Sequence, residues 1–155
     1  MNDQQKETIL TLLKDAKIKK NFVNRYWFHY IDFLDPTDGF TAFVCEQFEG
    51  KQSYNNLIEN MLEKDINAKI FVEVYGLEEN GNFQCVYADT LIVFSKLSLD
   101  CIKQIFSEPK DIFPSDIGEM TDFSQPTFLI GHKGEIIPIT ESLINDCFVY
   151  YCWWD

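Results

Sequence analysis

The sequence predicts an α+β fold: a single domain, residues 1–155, in which a largely antiparallel sheet of six or seven strands has about three helices packed on it, in helix-hairpin order. Three local signals predict the centre of this fold. Residues 68–77 alternate between two apolar sets, as a strand does. Asn80-Gly81 is the pair that most readily forms a type I′ turn, so it predicts a two-residue hairpin. Residues 83–94 then form the returning strand, and its second half is apolar on both faces, as in a covered sheet.

The spacing of the apolar residues also predicts which face of each strand or helix they occupy. On the first strand, Ile70, Val72 and Val74 are expected on one side, and Phe71, Tyr75 and Leu77 on the other. After the hairpin, Ser98 is expected to cap a helix. Its apolar side is predicted from helical spacing to hold Leu99, Ile102, Ile105 and Phe106.

Length and composition exclude several classes of protein. The 155 residues are 46% hydrophobic with 24 aromatic side chains, which is too apolar for a disordered chain and sufficient for a core without disulfides or metal. No stretch approaches the roughly 18 apolar residues of a membrane span, and the N-terminus lacks a signal segment. Five cysteines without a C-x-x-C pair fit a reducing compartment. We therefore expect a cytoplasmic protein with no membrane partner.

Charge is the strongest global feature, with a net charge of −12 from 13 basic and 25 acidic side chains. Residues 1–25 hold six of the basic side chains and three of the acidic ones, and Arg25 is the only arginine. The rest of the chain would repel a phosphate backbone, so we expect no nucleic-acid partner. An acidity that serves only solubility is the alternative interpretation.

The first half of the chain is predicted to form a helix at residues 3–17, followed by a segment whose pattern fits both a strand and a helix. Residues 25–34 are aromatic on both faces, which favours a strand, although Trp27, Ile31 and Leu34 also share helical spacing. The turn-forming sequence at residues 35–39 and the alternating stretch at residues 40–48 favour a second hairpin. Ser53 is then expected to cap a helix that ends near Asn67.

The last third is predicted to begin with one long loop, since residues 108–126 contain three prolines and five acidic side chains without a sustained period. A third hairpin is expected at residues 127–139 around Gly131–Gly134, followed by a helical turn at residues 140–145 and a final strand at residues 147–154. Helices that start near residues 3, 53 and 98 indicate three αββ units.

The predicted loop carries the first candidate site. Its carboxylates recur around phenylalanines, a composition that suits a partner rich in Lys and Arg, because charge orients the encounter while a buried aromatic supplies affinity. We expect the contacts to come from Asp111, Phe113, Asp116, Glu119 and Asp122. A solvated loop with its phenylalanines in the core is the alternative. The alternation of an EF-hand loop is missing, so no metal is expected.

The C-terminal stretch is the second candidate site. Residues 148–154 are apolar on both faces and must be covered by the protein itself or by another chain. If this strand lies at a sheet edge, Tyr150, Trp153 and Trp154 would form an interface, either in a homodimer or with a partner that adds a strand.

Asp89 is a third candidate, because it interrupts an apolar strand where a carboxylate would be desolvated and its pKa raised, as in many catalytic acids. A structural hydrogen bond at a sheet end is the commoner explanation. Cys101 near a helix start has no histidine tied to it, and core packing is the better explanation of a cysteine there. The Gly131–Gly134 segment matches the GXXG loop of KH domains only superficially, since both flanks are predicted strands. No nucleotide-binding, esterase or zinc-protease motif is present, and no cofactor is expected.

These observations favour a non-catalytic binding protein that occludes a basic surface of a protein partner. In general character the chain is similar to the small acidic immunity proteins with which bacteria neutralise nuclease toxins, although no residue motif ties it to one such family. A small carboxylate-using enzyme or ligand-binding domain, with Asp89 and an acid from the predicted loop, is the alternative. A homo-oligomeric structural protein that docks through its C-terminal strand is a third interpretation.

Overall fold

The structure, a computed structural model, describes residues 1–43, 50–108, 112–144 and 146–155. Its helices are α1 (Asp3–Lys19), α2 (Tyr30–Phe33), α3 (Lys51–Lys64), α4 (Leu99–Ser107) and α5 (Glu141–Ile144). Its strands are β1 (Arg25–His29), β2 (Thr41–Phe43), β3 (Lys69–Asn80), β4 (Phe83–Ser95), β5 (Asp116–Glu119), β6 (Thr127–Ile130), β7 (Ile136–Pro138) and β8 (Phe148–Trp153). The α+β class is therefore confirmed, with more strands and helices in the described residues than the sequence predicts.

The eight strands form one mostly antiparallel sheet, in the order β5-β8-β4-β3-β1-β6-β7, with β2 beside β4. Only the pairings of β1 with β6 and of β2 with β4 are parallel within the described ranges. β2 and β8 share one edge of β4: β2 pairs with residues 86–88 and β8 with residues 90–95. Asp89 therefore lies between the part of β4 that pairs with β2 and the part that pairs with β8.

The β3–β4 ladder breaks register at the same height. Thr90 pairs with Glu73 but Ala88 pairs with Val74, so Asp89 is left without a partner on β3. An extra residue of this kind is a β-bulge, which bends the strand and increases its twist.

A second bulge follows at once on β3. Val74 pairs with Ala88 and Gly76 pairs with Tyr87, so Tyr75 has no partner on β4. Because one extra residue reverses the alternation of a strand, Leu77 packs in the same core as Val74, and its predicted placement on the side of Phe71 was wrong. The two bulges, at Tyr75 and Asp89, are called the sheet interruption below.

Helices cover one face of the sheet and loops cover the other. On the helical face, α1 to α4 contribute Ile9, Phe33, Leu57 and Ile102 to a core with the sheet residue Val72. Ile102 lies on the side of α4 that helical spacing predicts to be apolar, whereas α2 was not among the predicted helices.

The loop face is built around an aromatic cluster. The ring centroid of Phe71 lies 6.1 Å from that of Trp27 and 5.4 Å from that of Phe94. Met120, Phe123, Ile139, Ile144 and Cys147 pack over this cluster. Each such aromatic side chain buries a large apolar area, so the loop face stabilises the sheet although no long helix covers it.

Several predicted elements lie where the sequence places them. The central hairpin, the helix capped by Ser98, the hairpin around Gly131–Gly134, the turn of helix near residue 141 and the final strand all form. The turn of the central hairpin differs, because Asn80 pairs with Phe83 and the loop is Gly81-Asn82. Only Gly81 has a positive φ, of 60°, which is the sign pattern of a type II′ turn rather than type I′.

The predicted second hairpin does not form. Residues 25–34 are divided between β1 and α2, and His29 accepts a hydrogen bond on Nδ1 from the N–H of Ile31 where α2 begins. β1 pairs with β3 and β6, and β2 pairs with β4, so the pattern of three αββ units was wrong. Of the stretch predicted at residues 40–48, residues 44–48 lie outside the described ranges.

Two smaller predictions also change. Ser53 lies inside α3, whose N-cap is Gly50. The predicted long loop contains β5, which pairs with β8. In the described parts of the chain, no helix is both long enough and apolar enough to cross a lipid bilayer.

Replacing Gly134 by Ala is expected to destabilise the fold by about 2 kcal/mol or more. Gly134 has φ of +74°, and a Cβ atom there would lie 2.7 Å from the Gln4 carbonyl oxygen and 2.8 Å from Thr8 Oγ1, both on α1. Urea unfolding measures the change.

The matched control is Gly39→Ala, because an added Cβ there meets no atom within 4 Å and φ is not positive. We expect this control to unfold within about 0.5 kcal/mol of the wild type. Equal effects of the two substitutions would contradict the docking of the β6–β7 turn against α1.

Candidate functional site

A cleft opens beside the sheet interruption because β1 and β3 separate there. In β1, pairing with β3 begins only at Trp27, whereas Arg25 and Tyr26 pair only with β6. The C-terminal end of α1 and the segment after it cover the gap. The resulting cavity has a volume of about 270 Å³. It is called the β1–β3 cleft below, and its lining is Leu13, Ala16, Asn21, Phe22, Asn24, Arg25, Tyr26, Glu73, Val74, Tyr75, Asp89 and Gln125.

Glu73 places a carboxylate in this cleft. Its Oε2 accepts a hydrogen bond from Trp27 Nε1 at 2.7 Å, and its Oε1 lies 3.9 Å from Arg25 Nε. That second distance is too long for a hydrogen bond, so Oε1 accepts none from the described residues. Burial raises the pKa of Glu73, and the nearby Asp89 carboxylate adds to the rise, while Trp27 and Arg25 oppose it. The anionic form of Glu73 is therefore incompletely compensated.

Asp89 brings a second carboxylate to the cleft from the bulge in β4. Its backbone carbonyl accepts a hydrogen bond from the N–H of Trp154 at 2.9 Å. Its side chain accepts hydrogen bonds from Thr90 Oγ1 at 2.7 Å and from Trp153 Nε1 at 3.1 Å. The bulge thus explains why a carboxylate interrupts this apolar strand: Asp89 ties β4 to the end of β8.

The charges of the β1–β3 cleft are unequal. Two carboxylates, Glu73 and Asp89, share it with one guanidinium, Arg25. The end of α1 adds no further negative charge, since the Ala16 carbonyl accepts a hydrogen bond from the N–H of Asn21 and the last turn carries Lys17 and Lys19. This arrangement favours a cationic group. It does not form a metal centre, since no cluster of three or more His, Cys, Asp or Glu side chains suited to a metal ion occurs in the described ranges.

The predicted acidic site lies on and around β5, at the edge of the sheet. Phe113 is 55% exposed. Asp116 accepts a hydrogen bond from the Tyr151 hydroxyl at 2.9 Å, and Glu119 is exposed at the far end of β5. Asp122 accepts a hydrogen bond from the N–H of Ser124, and the hydrogen bonds from that residue hold the pKa of Asp122 below its usual value.

Asp111 lies outside the described residues. The other four members of the predicted set occur within ten residues of one another, and β5 has no strand partner on its outer side in the described ranges. These residues therefore flank a free sheet edge. Burial of the phenylalanines, the alternative raised from the sequence, applies to Phe123 but not to Phe113.

The predicted C-terminal interface is mostly internal. Tyr150 is buried and its hydroxyl donates to the Leu97 carbonyl, and Trp154 is buried and its Nε1 donates to the Ile112 carbonyl. Trp153 remains 37% exposed. β8 is hydrogen-bonded to β4 on one side and to β5 on the other, so strand addition at β8 would require β5 to leave.

Asp116 at the β5 edge and Glu73 of the β1–β3 cleft lie along one row of the loop face. Register pairs Asp116 with Trp153, Trp153 with Thr90, Thr90 with Glu73, and Glu73 with Trp27. Directly paired residues point to the same face. With adjacent strands about 4.8 Å apart, β5 and β3 are separated by about 14 Å.

Comparison of the chain with protein-family models, with curated proteins and with solved structures gave no match. Its function is therefore inferred from the sequence and from the geometry of the described residues.

Glu73 and Arg25 were missed as site residues by sequence reasoning. The signal for Glu73 is the one that singled out Asp89, namely a carboxylate in an otherwise apolar strand. The signal for Arg25 is its position as the only arginine in an acidic chain. Neither signal shows that the two residues meet, because that contact depends on the pairing of β1 with β3.

Replacing Glu73 by Gln is expected to raise the free energy of unfolding at pH 7 by on the order of 1 kcal/mol. The pKa of Glu73 is higher in the folded protein than its unfolded value near 4.5. Ionisation of Glu73 therefore costs no stability below the unfolded pKa, and the cost grows as pH rises through the folded pKa. Gln stays neutral and retains an oxygen for Trp27 Nε1. Urea unfolding at pH 7 and at pH 4 measures the difference.

The control is Glu63→Gln, which makes the same change in net charge on an exposed position of α3. A gain for Glu73→Gln that persists unchanged at pH 4, or that the control reproduces, would show that burial of this carboxylate is not its cause.

Proposed function

We propose that this protein is a non-catalytic binding protein that occludes a basic surface of a protein partner, in the manner of an immunity or inhibitor protein directed against a nuclease-type toxin. The observation that carries the proposal is the β5 edge, which presents carboxylates that form no ion pair within the described residues, around an exposed phenylalanine. A reducing compartment such as the cytoplasm suits the proposal, since the four described cysteines are free thiols.

The carboxylates of this edge are available to a partner. Asp116, Glu119 and Asp122 form none of the ion pairs found within the described residues. Residues 112–126 contain no basic side chain. A partner with Lys and Arg would supply the missing counter-charges, which would speed the encounter and fix its orientation.

Apolar anchors lie beside these charges. Phe113 is 55% exposed, and Trp153, which is 37% exposed, is the register partner of Asp116. Buried aromatic side chains supply much of the affinity at protein interfaces, with charged groups at the rim. The outer edge of β5 also offers backbone groups to which a partner strand can pair.

Occlusion of this kind would inhibit a nuclease by covering its substrate-binding surface. Such an enzyme holds its substrate through Lys and Arg side chains that neutralise phosphates. An acidic edge that binds the same side chains would exclude nucleic acid by competition, without catalysis. The residues proposed for this contact are Phe113, Asp116, Glu119 and Asp122.

A carboxylate-using enzyme is the second candidate. It is favoured by the proximity of Asp89 to Glu73, whose pKa is raised by burial. It is weakened by the hydrogen bonds from Trp153 and Trp27, which occupy one oxygen of each carboxylate with an indole N–H that is too weak an acid to transfer its proton in catalysis. Self-association is a third outcome, and β5 rather than β8 offers the free edge for it.

The proposal is tested with tagged full-length protein, used to capture partners from the native source at low and at high salt. The captured partner is then purified, and its nuclease activity is measured with increasing amounts of this protein. We expect stoichiometric inhibition that weakens with salt. The double substitution Asp116→Lys and Glu119→Lys is expected to weaken binding at least tenfold, or about 1.4 kcal/mol, since it reverses two charges at the contact.

The matched control is Glu59→Lys with Glu63→Lys, two exposed positions on α3 with the same change in net charge. It should bind and inhibit as the wild type does. If the control weakens binding equally, or if the captured partner keeps full activity when saturated, the inhibitor function is wrong.

A further inference from the structure

The β1–β3 cleft holds the Glu73 carboxylate, which the described residues pair incompletely. Glu73 Oε1 accepts no hydrogen bond from the described residues, and its only cationic neighbour in an ion pair is Arg25 Nε at 3.9 Å. The Arg25 guanidinium is also directed at another group, since its Nη1 lies 3.5 Å from Met120 Sδ. A partly buried carboxylate of this kind is stabilised when a further donor approaches it.

The cleft also has aromatic walls near its carboxylates. Phe22 and Tyr75 both line it, yet they are 67% and 79% exposed. Tyr75 owes its position to the bulge in β3, which removes it from the regular alternation. Exposed aromatic rings beside two carboxylates suit a ligand with an apolar stem and a cationic head. The stem packs against the rings, and the ring quadrupole attracts the cation.

We propose that the β1–β3 cleft binds the cationic head of an alkylguanidinium or alkylammonium group, with Glu73 and Asp89 as its acceptors and with Phe22 and Tyr75 beside its stem. The site goes beyond the occlusion function and does not depend on it, since β5 lies two strands from β4 and three from β3.

Charge selects against an anionic ligand. Among the residues that line the cleft, the two carboxylates of Glu73 and Asp89 outnumber the single guanidinium of Arg25. Size is also suitable: a cavity of about 270 Å³ accepts a head group and a short stem but not a large ligand. The amide side chains of Asn24 and Gln125 supply further polar contacts.

The test uses N-butylguanidine as the probe and N-butylurea as its neutral isostere. The three tryptophan indoles report on the site. Trp27 Nε1 donates to Glu73 and Trp153 Nε1 donates to Asp89, whereas Trp154 Nε1 donates to a backbone carbonyl in the core. We expect N-butylguanidine at pH 7 to shift the ¹H–¹⁵N signals of Trp27 and Trp153 saturably, with a Kd of about 1 mM or tighter, and to leave Trp154 unmoved.

Substitution identifies the acceptor. Glu73→Gln keeps an oxygen for Trp27 but removes the charge, so we expect it to weaken N-butylguanidine at least about tenfold. Glu63→Gln makes the same charge change on α3 and should bind the probe as the wild type does. The Kd should also rise as pH falls through the pKa of Glu73, which burial raises, because protonation removes the anion that the probe contacts.

The proposal is overturned if N-butylurea shifts the same signals as strongly, if the shifts do not saturate, or if Glu73→Gln binds the probe normally. Once binding is established, the captured protein partner distinguishes two sources of the same chemistry. Displacement of that partner by N-butylguanidine would assign the site to a side chain of the partner, and undisturbed binding of both would assign it to a free small cation.

Discussion

The pairing of β3 with β4 is the constraint on which the rest of the structure depends, because both its regular part and its two bulges organise other elements. Where the ladder is regular, at residues 69–73 and 90–94, it forms the middle of the sheet and carries both cores. Where it bulges, at Tyr75 and Asp89, β4 changes its neighbour from β2 to β8. β1 also leaves β3 at this height, so one local irregularity ends three pairings and opens the β1–β3 cleft.

The same irregularity explains why charged groups are tolerated inside the sheet. Trp27 and Trp153 each donate an indole hydrogen bond to a carboxylate, of Glu73 and Asp89 respectively. These bonds hold the carboxylates in place but do not neutralise them. A sheet designed only for stability would place apolar side chains at these positions, whereas residues that reduce stability are concentrated at functional sites. Glu73 and Asp116 lie on the loop face, and within the described residues the first is incompletely paired and the second forms no ion pair, which supports the proposal that this face binds cationic groups.

Sequence reasoning predicted the elements whose signals are local. The central hairpin is short-range, so Gly81 and the flanking alternation were sufficient to place it, although the turn type was set by the pairing of Asn80 with Phe83. β1 could not be placed in this way, because its partners lie 42 or more residues away (His29 pairs with Phe71) and its aromatic side chains fit a strand or a helix equally well. Leu77 was misplaced because alternation carries no sign of a bulge. For the site, the pattern identified Asp89 and the acids of residues 112–126, but only the pairing of distant strands brings Glu73 and Arg25 together.

Residue-resolved amide hydrogen exchange tests most directly whether the sheet is interrupted at Tyr75 and Asp89. Amides that hydrogen-bond in the regular ladder, at residues 70–72 and 91–94, are expected to exchange only through global unfolding. Amides of the hairpin beyond the bulges, at residues 76–85, are expected to exchange through local opening, with protection lower by at least about tenfold. Uniform protection along β3 and β4 through residues 75 and 89 would contradict the interruption, and with it the origin assigned here to the β1–β3 cleft.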